Sequence, residues 1–148
     1  MVILIDRREQ RQLKFPRNIQ TRMDTLPFGD YCAEVDGKRI PLVWERKSLD
    51  DLFSTLTIAK NHDRFRREML AAQEANVVMI LGIEGTLSQV LTGVPYSRAP
   101  GESVVKAVFT CWVKYGLRPV FCQSRVELAR HLVECFSAIE RNWEKETP

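Results

Sequence analysis

The chain reads as an α/β sandwich, a central mixed sheet flanked by helices, and three observations predict it. Asp36-Gly37, a two-residue turn signal, sits between two strand-like runs in the first third of the sequence. Beyond it, amphipathic helical stretches alternate with short apolar runs, the pattern of helices laid on a sheet. The apolar share of 45%, with three Trp and seven Phe in 148 residues, is enough to build one buried core. No internal repeat or linker divides the chain, so residues 1–148 are expected to form a single domain.

Val2 to Ile5 has strand length and delivers Asp6 at its carboxyl end. On these residues alone Asp6 caps a turn or pairs with Arg8. Arg7 to Thr25 carries Pro16, Asn18 and the bases Arg7, Arg8, Arg11, Lys14, Arg17 and Arg22 without sustained periodicity. It reads as a mobile loop able to touch phosphates. Gly29 to Val35 and Val43 to Lys47 are the strands flanking the turn, and Pro41 marks an edge position or a bulge. Ser48 then caps a helix from Leu49, with Asp51 at its third position. Asp51 either offsets the helix dipole or serves the neighbouring site, and the sequence leaves both open.

Asn61 to Ala75 forms a helical pattern, with Phe65, Met69 and Ala72 on one stripe and Arg64, Arg66, Arg67 and Glu68 around it. Its arginines are solvated charges or a phosphate track. Val77 to Leu81 is a continuous apolar run, as a central strand is. Thr86 to Gln89 is a capping box. Thr92 to Glu102, with Gly93, Pro95, Pro100 and Gly101, is a loop. Ser103 opens a helix bearing Val104, Val108, Trp112 and Tyr115, which Gly116 stops. Arg118 to Cys122 is the last strand. Ser124-Arg125-Val126-Glu127, another capping box, opens a long helix with Leu132, Phe136, Ile139 and Trp143 on its stripe. That stripe is expected to be core first and, towards Phe136 and Trp143, a surface for self-association second.

Chemistry concentrates at Trp44-Glu45-Arg46-Lys47. Side chains alternate in a strand, so Glu45 and Lys47 share one face while Trp44 and Arg46 share the other. With Asp36-Gly37 as the whole loop, Val35 opposes Lys38 and Asp30 opposes Val43. Asp30 and Glu45 then become diagonal neighbours, roughly 7–8 Å apart at the backbone. A one-residue slip would turn Asp30 to the wrong face. Two acids and a lysine converging on one spot are what is needed to hold Mg²⁺ or Mn²⁺ against a phosphodiester and activate a water.

The formal charge of +3 does not by itself imply nucleic acid, although bases crowd Arg7 to Arg22. Cys32, Cys111, Cys122 and Cys135 form no C-x-x-C pair and show no histidine spacing that suggests zinc, so reduced, buried thiols are expected. No apolar run nears the roughly 20 residues of a membrane span, and no signal-peptide pattern opens the chain. The expected location is cytoplasmic, nucleoid-associated or nuclear, and not secreted.

Gly29-Asp30-Tyr31, then Glu45-Arg46-Lys47 and Asp51 after three intervening residues, resembles the G-D-X(n)-E-R-K-X3-D signature of the XPF family of structure-specific DNA endonucleases. Ile5-Asp6-Arg7-Arg8-Glu9 is similar to the V-D-x-R-E element that opens the same domain. Leu26, Arg64-Phe65 and Val78 to Leu81 running towards Glu84-Gly85 also fit the pattern. The resemblance is close over about the first 85 residues and looser beyond.

It implies a restriction-endonuclease-like fold and a Mg²⁺-dependent endonuclease cutting branched or flap DNA in repair or recombination. Asp30 and Glu45 would be metal ligands and Lys47 would position the water or stabilise phosphate charge. Asp6 and Asp51 would complete the shell or hold a second ion. Arg46 would lend its backbone carbonyl to the metal, its side chain forming a structural pair or meeting DNA. Arg8, Arg11, Arg64 and Arg67 would contact DNA. The chain departs from larger family members in showing neither the tandem helix-hairpin-helix module nor the helicase-like region that help such enzymes choose a junction and pair their subunits, which leaves substrate choice and dimerisation open. A homodimer or a partner nuclease or helicase subunit would supply the contact to a second arm. The alternative from another class is a non-catalytic DNA-binding subunit, but this chain keeps all the acids.

Overall fold

A computed structural model describes residues 1–146. Its seven-stranded mixed sheet runs in the order β2-β1-β3-β5-β6-β7, with β4 beside β3. The strands are β1 (Val2–Asp6), β2 (Gln20–Asp24), β3 (Tyr31–Val35), β4 (Lys38–Arg39), β5 (Leu42–Ser48), β6 (Val78–Glu84) and β7 (Arg118–Phe121). The helices are α1 (Leu49–Thr57), α2 (Ala59–Glu74), α3 (Leu87–Thr92), α4 (Gly101–Tyr115) and α5 (Arg125–Glu146). β3 pairs antiparallel with β1 and β5, whereas β5, β6 and β7 are parallel. This is the mixed, helix-flanked sheet of the restriction-endonuclease-like class.

The two faces of β5 show how the layers form. Trp44 is buried and closes over Gly82 of β6 together with Leu128 of α5; a Cβ on Gly82 would stand 2.6 Å from Leu128 Cδ1 and 3.2 Å from the Trp44 ring. On the other face, Lys47 Nζ lies 5.5 Å from the centroid of the Phe65 ring on α2. Strand alternation thus assigns α5 to one side and α2 to the other. Most caps read from sequence are made: Ser48 Oγ accepts from Asp51 N–H, Thr86 and Gln89 form a reciprocal box, and Gly116 ends α4 at φ 72°. α4 begins slightly earlier than Ser103, at Gly101, after Pro100.

Two expectations are corrected. Arg7 to Thr25 is not a free loop. Gln20–Asp24 forms an edge strand parallel to β1, and Leu13 is buried with its N–H donating to the Tyr31 hydroxyl at 2.8 Å. An edge strand exposed along most of its length needs no apolar alternation, so its sequence carries little strand signal. The hairpin register also shifts. Val35 does oppose Lys38, but Tyr31 pairs with Trp44, two residues beyond where an unbroken hairpin would place it. The irregularity follows Ile40 at Pro41, which cannot donate to the ladder. Asp30 is therefore not opposite Val43; its N–H donates to Trp44 O at 2.8 Å. A shift of two residues preserves faces, so the side chains converge as expected. The stripe of α5 is core, as its spacing predicts: Phe136 is fully buried, and Ile139 and Trp143 are partly buried against the same core. α4 carries three exposed apolar side chains, Phe109, Trp112 and Val113.

Candidate metal centre and active site

Asp30 is fixed from three sides before its chemistry begins. Its carbonyl accepts from Asp6 N–H at 2.8 Å, its N–H donates to Trp44 O, and its Oδ2 accepts from Arg46 N–H at 2.8 Å. The preceding Gly29 adopts φ +69° and donates its N–H to Glu68 Oε1 at 3.1 Å. A Cβ there would stand 3.0 Å from Val43 Cβ and 3.1 Å from Trp44 O. Gly29→Ala is therefore expected to cost about 2 kcal/mol, lowering Tm by roughly 5 °C, and to displace Asp30. Thermal unfolding with an unchanged Tm would show that the turn tolerates a side chain.

Glu45 is buried at the centre of β5, with Lys47 Nζ 3.4 Å from its Oε1. Burial pushes the Asp30 carboxyl up to about 7, the nearby Glu9 charge adding to it and the Arg46 N–H opposing. Burial, then the charges of Asp30 and Glu68, push Glu45 to about 8, although Lys47 pulls the other way. One lysine does not offset this crowd of acids, so a divalent cation fits the donor set: hard oxygens, mutually repelling, on rigid backbone. A small cleft lined by Lys47, Thr55, Asn61, Arg64, Phe65 and Glu68 adjoins the pair.

The opposite face of β5 is an ion network. Arg46 holds both oxygens of Glu9 at 2.7 and 2.9 Å and Glu84 Oε1 at 2.9 Å, and Arg125 reaches the same Glu84 oxygen. The Arg46 side chain is only 8% exposed, and these partners raise its pKa still further. Its expected phosphate contact is corrected: the guanidinium is taken up by two carboxylates inside the fold, leaving only the structural pairing. Arg125 also donates to Arg11 O and Gln12 O, tying the basic loop to α5.

Asp6 is buried, but its carboxylate is engaged elsewhere. Oδ1 accepts from Leu26 N–H at 2.9 Å and Oδ2 from Arg8 Nε at 2.9 Å. Burial works to raise its pKa, yet these hydrogen bonds win and lower it. The pairing with Arg8 is the plain reading of those residues, and it leaves the Arg8 side chain largely exposed, also bonded to Leu26 O. Asp51 is exposed in the first turn of α1, and Arg11, Arg64 and Arg67 are exposed. The structure thus gathers Asp30, Glu45 and Lys47, keeps Asp6 beside them as an anchor for Arg8, and sets Asp51 at the helix start. Sequence reasoning gave no role to Glu9, although it stands in the Ile5-Asp6-Arg7-Arg8-Glu9 motif. Glu68 was legible only as one charge among arginines.

Sheet and cluster together define the class: a restriction-endonuclease-like fold bearing a pair of acids and a lysine on and beside a central strand. The chain belongs to the ERCC4 domain family, whose model matches residues 5–135. Among solved structures it is similar to XPF from Aeropyrum pernix, at 22% identity and TM-score 0.64, over 97% of this chain and 70% of that one. It is likewise similar to XPF from Aeropyrum pernix in complex with DNA, at 20% identity and TM-score 0.68, over 95% of this chain and 65% of that one. At these identities the likeness speaks to the fold. No curated protein matches the chain.

Proposed function

We propose that this protein is a metal-dependent DNA endonuclease that hydrolyses phosphodiester bonds, preferring branched or flap DNA in repair or recombination. The observation that carries it is the buried Glu45 beside Asp30, with Lys47 Nζ at 3.4 Å. Membership of the ERCC4 domain family and the fold shared with an XPF solved with DNA support the same reading.

Asp30 and Glu45 would hold Mg²⁺, with Mn²⁺ as a substitute, and the Arg46 carbonyl would join them. Bound there, the cation would polarise the phosphate and make a neighbouring water more acidic. Lys47 is held by Glu45 and the Phe65 ring, so its ammonium is oriented to place the attacking water or stabilise charge building on the phosphate. Arg8, anchored by Asp6 and Leu26 O, would present a cation to the backbone of the DNA; Arg11, Arg64 and Arg67 would extend that track. Residues 1–148 would act as one domain, with a homodimer or partner subunit supplying contacts to a second duplex arm. No helix among the described residues is long and apolar enough to cross a membrane.

Labelled linear, flap, fork and four-way DNAs incubated with Mg²⁺, Mn²⁺, Ca²⁺ or EDTA test the proposal. Cleavage with Mg²⁺ and Mn²⁺, little with Ca²⁺ and none with EDTA is expected, because Ca²⁺ is larger and less demanding of geometry. Full activity in excess EDTA would refute the mechanism. Binding of all four DNAs without cutting any would make the chain a non-catalytic DNA-binding subunit.

Asp51→Asn separates the two roles open to that residue. Ser48 already provides the side-chain cap, so loss of most activity without loss of Tm would place the Asp51 carboxylate in the chemistry. Retained activity would leave it as a helix-dipole charge.

A further inference from the structure

Away from the acid pair, the junction between β7 and α5 collects three side chains of a different chemistry. Cys122, Glu127 and His131 each turn one ligand atom into the same spot, all within 4.8 Å of one another. The sequence gives no zinc-type spacing by the usual motifs, because the third donor is a carboxylate and the thiol comes from a strand end.

Each donor is held in place. Cys122 is fully buried, and its N–H donates to Ile83 O at 3.0 Å and Gly85 O at 3.1 Å, which locks it to β6. Glu127 N–H is capped by Ser124 Oγ at 3.1 Å. Among the described residues, however, the Glu127 carboxylate makes no return bond to the Ser124 N–H, the second half of the capping box the sequence predicts. It faces His131 Nε2 at 3.5 Å across one helical turn. Glu127 and His131 are half open to solvent while the sulfur lies beneath them. An ion therefore has an entry path. Burial and the Glu127 charge push the Cys122 thiol up to about 11, so the sulfur is protonated without a cation.

We propose that Cys122, Glu127 and His131 form a site for a zinc-class ion. Thiolate, imidazole and carboxylate are the donors of Zn²⁺ and Co²⁺, not of Mg²⁺. One thiolate and one carboxylate neutralise a divalent charge. Three protein ligands leave a further position for water. Binding releases the thiol proton to solvent. The ion would staple the start of α5 to the end of β7, next to Arg125, which ties Glu84 to the loop at Arg11 and Gln12. The site is independent of the proposed nuclease activity.

Titration of the reduced protein with Co²⁺, read by thiolate-to-cobalt charge-transfer absorption, tests it without any activity assay. The acid pair on β5 has no sulfur and is silent in that band. A saturable band is expected, displaced by Zn²⁺ and unaffected by excess Mg²⁺. Glu127→Gln and His131→Gln, at half-buried and exposed helix positions outside the core, should each weaken binding by roughly tenfold or more. Cys122→Ser should abolish the band, and Cys111→Ser should leave it intact. Absence of the band in the wild type, its displacement by Mg²⁺, or unchanged affinity in both helix variants would overturn the assignment.

Discussion

Glu45→Gln is expected to reduce DNA cleavage by more than about a hundredfold while the protein stays folded, since even less direct changes around a metal site cost roughly 10- to 100-fold. The substitution keeps the shape of the buried side chain and removes its charge. It should also change stability in a pH-dependent way. In the folded, metal-free protein Asp30 titrates at about 7 and Glu45 at about 8, both above the usual carboxylate values. Between about pH 4 and 8 the folded state therefore keeps protons that the unfolded state has released. Stability falls as pH rises through that window, and the full penalty is present above the folded values.

Glu45→Gln abolishes one of the two repelling charges. Without metal its Tm should exceed that of the wild type by about 5 °C near pH 9, with the two converging near pH 4. Added Mg²⁺ should raise the Tm of the wild type and do little for the variant. Near-wild-type cleavage would remove Glu45 from the active site. A Tm difference that does not vary with pH would mean that Glu45 ionises in the fold as it does in the unfolded chain.

Arg46→Ala should give the largest loss of stability, about 3–5 kcal/mol. The guanidinium is 8% exposed and serves Glu9, at 4%, and Glu84, at 11%. Without it, Glu9 is left as a buried charge with no cation, while Glu84 keeps Arg125. The cost is mostly that of the stranded carboxylate, not of the lost attraction. Arg46→Met combined with Glu9→Gln should therefore recover a good part of it, because both charges go together. Denaturant unfolding of the single and double variants measures the coupling. Strictly additive losses would show that Arg46 and Glu9 do not act as a pair.

The sequence by itself determined whatever depends on neighbours in the chain. Strand alternation put Glu45 and Lys47 on one face, and Asp36-Gly37 set the hairpin turn. Ser48, Thr86 and Gly116 marked helix ends correctly, because a cap is a bond between residues a few positions apart. The motifs around Asp30 and Glu45 were enough to point to the family.

The tertiary structure decided what depends on distant residues. Pro41 shifts the register by two, and only the even size of that shift, set by pairing across three strands, keeps Asp30 on the face of Glu45. β2 was invisible because an exposed edge strand buries too little to leave an apolar pattern. Glu9 meets Arg46 from 37 positions away, and Glu68 reaches Gly29 from 39. No local periodicity encodes such pairs. Charge in a sequence has a sign but no partner, and burial supplies the partner: it made a structural ion network of Arg46 and a candidate catalytic acid of Glu45.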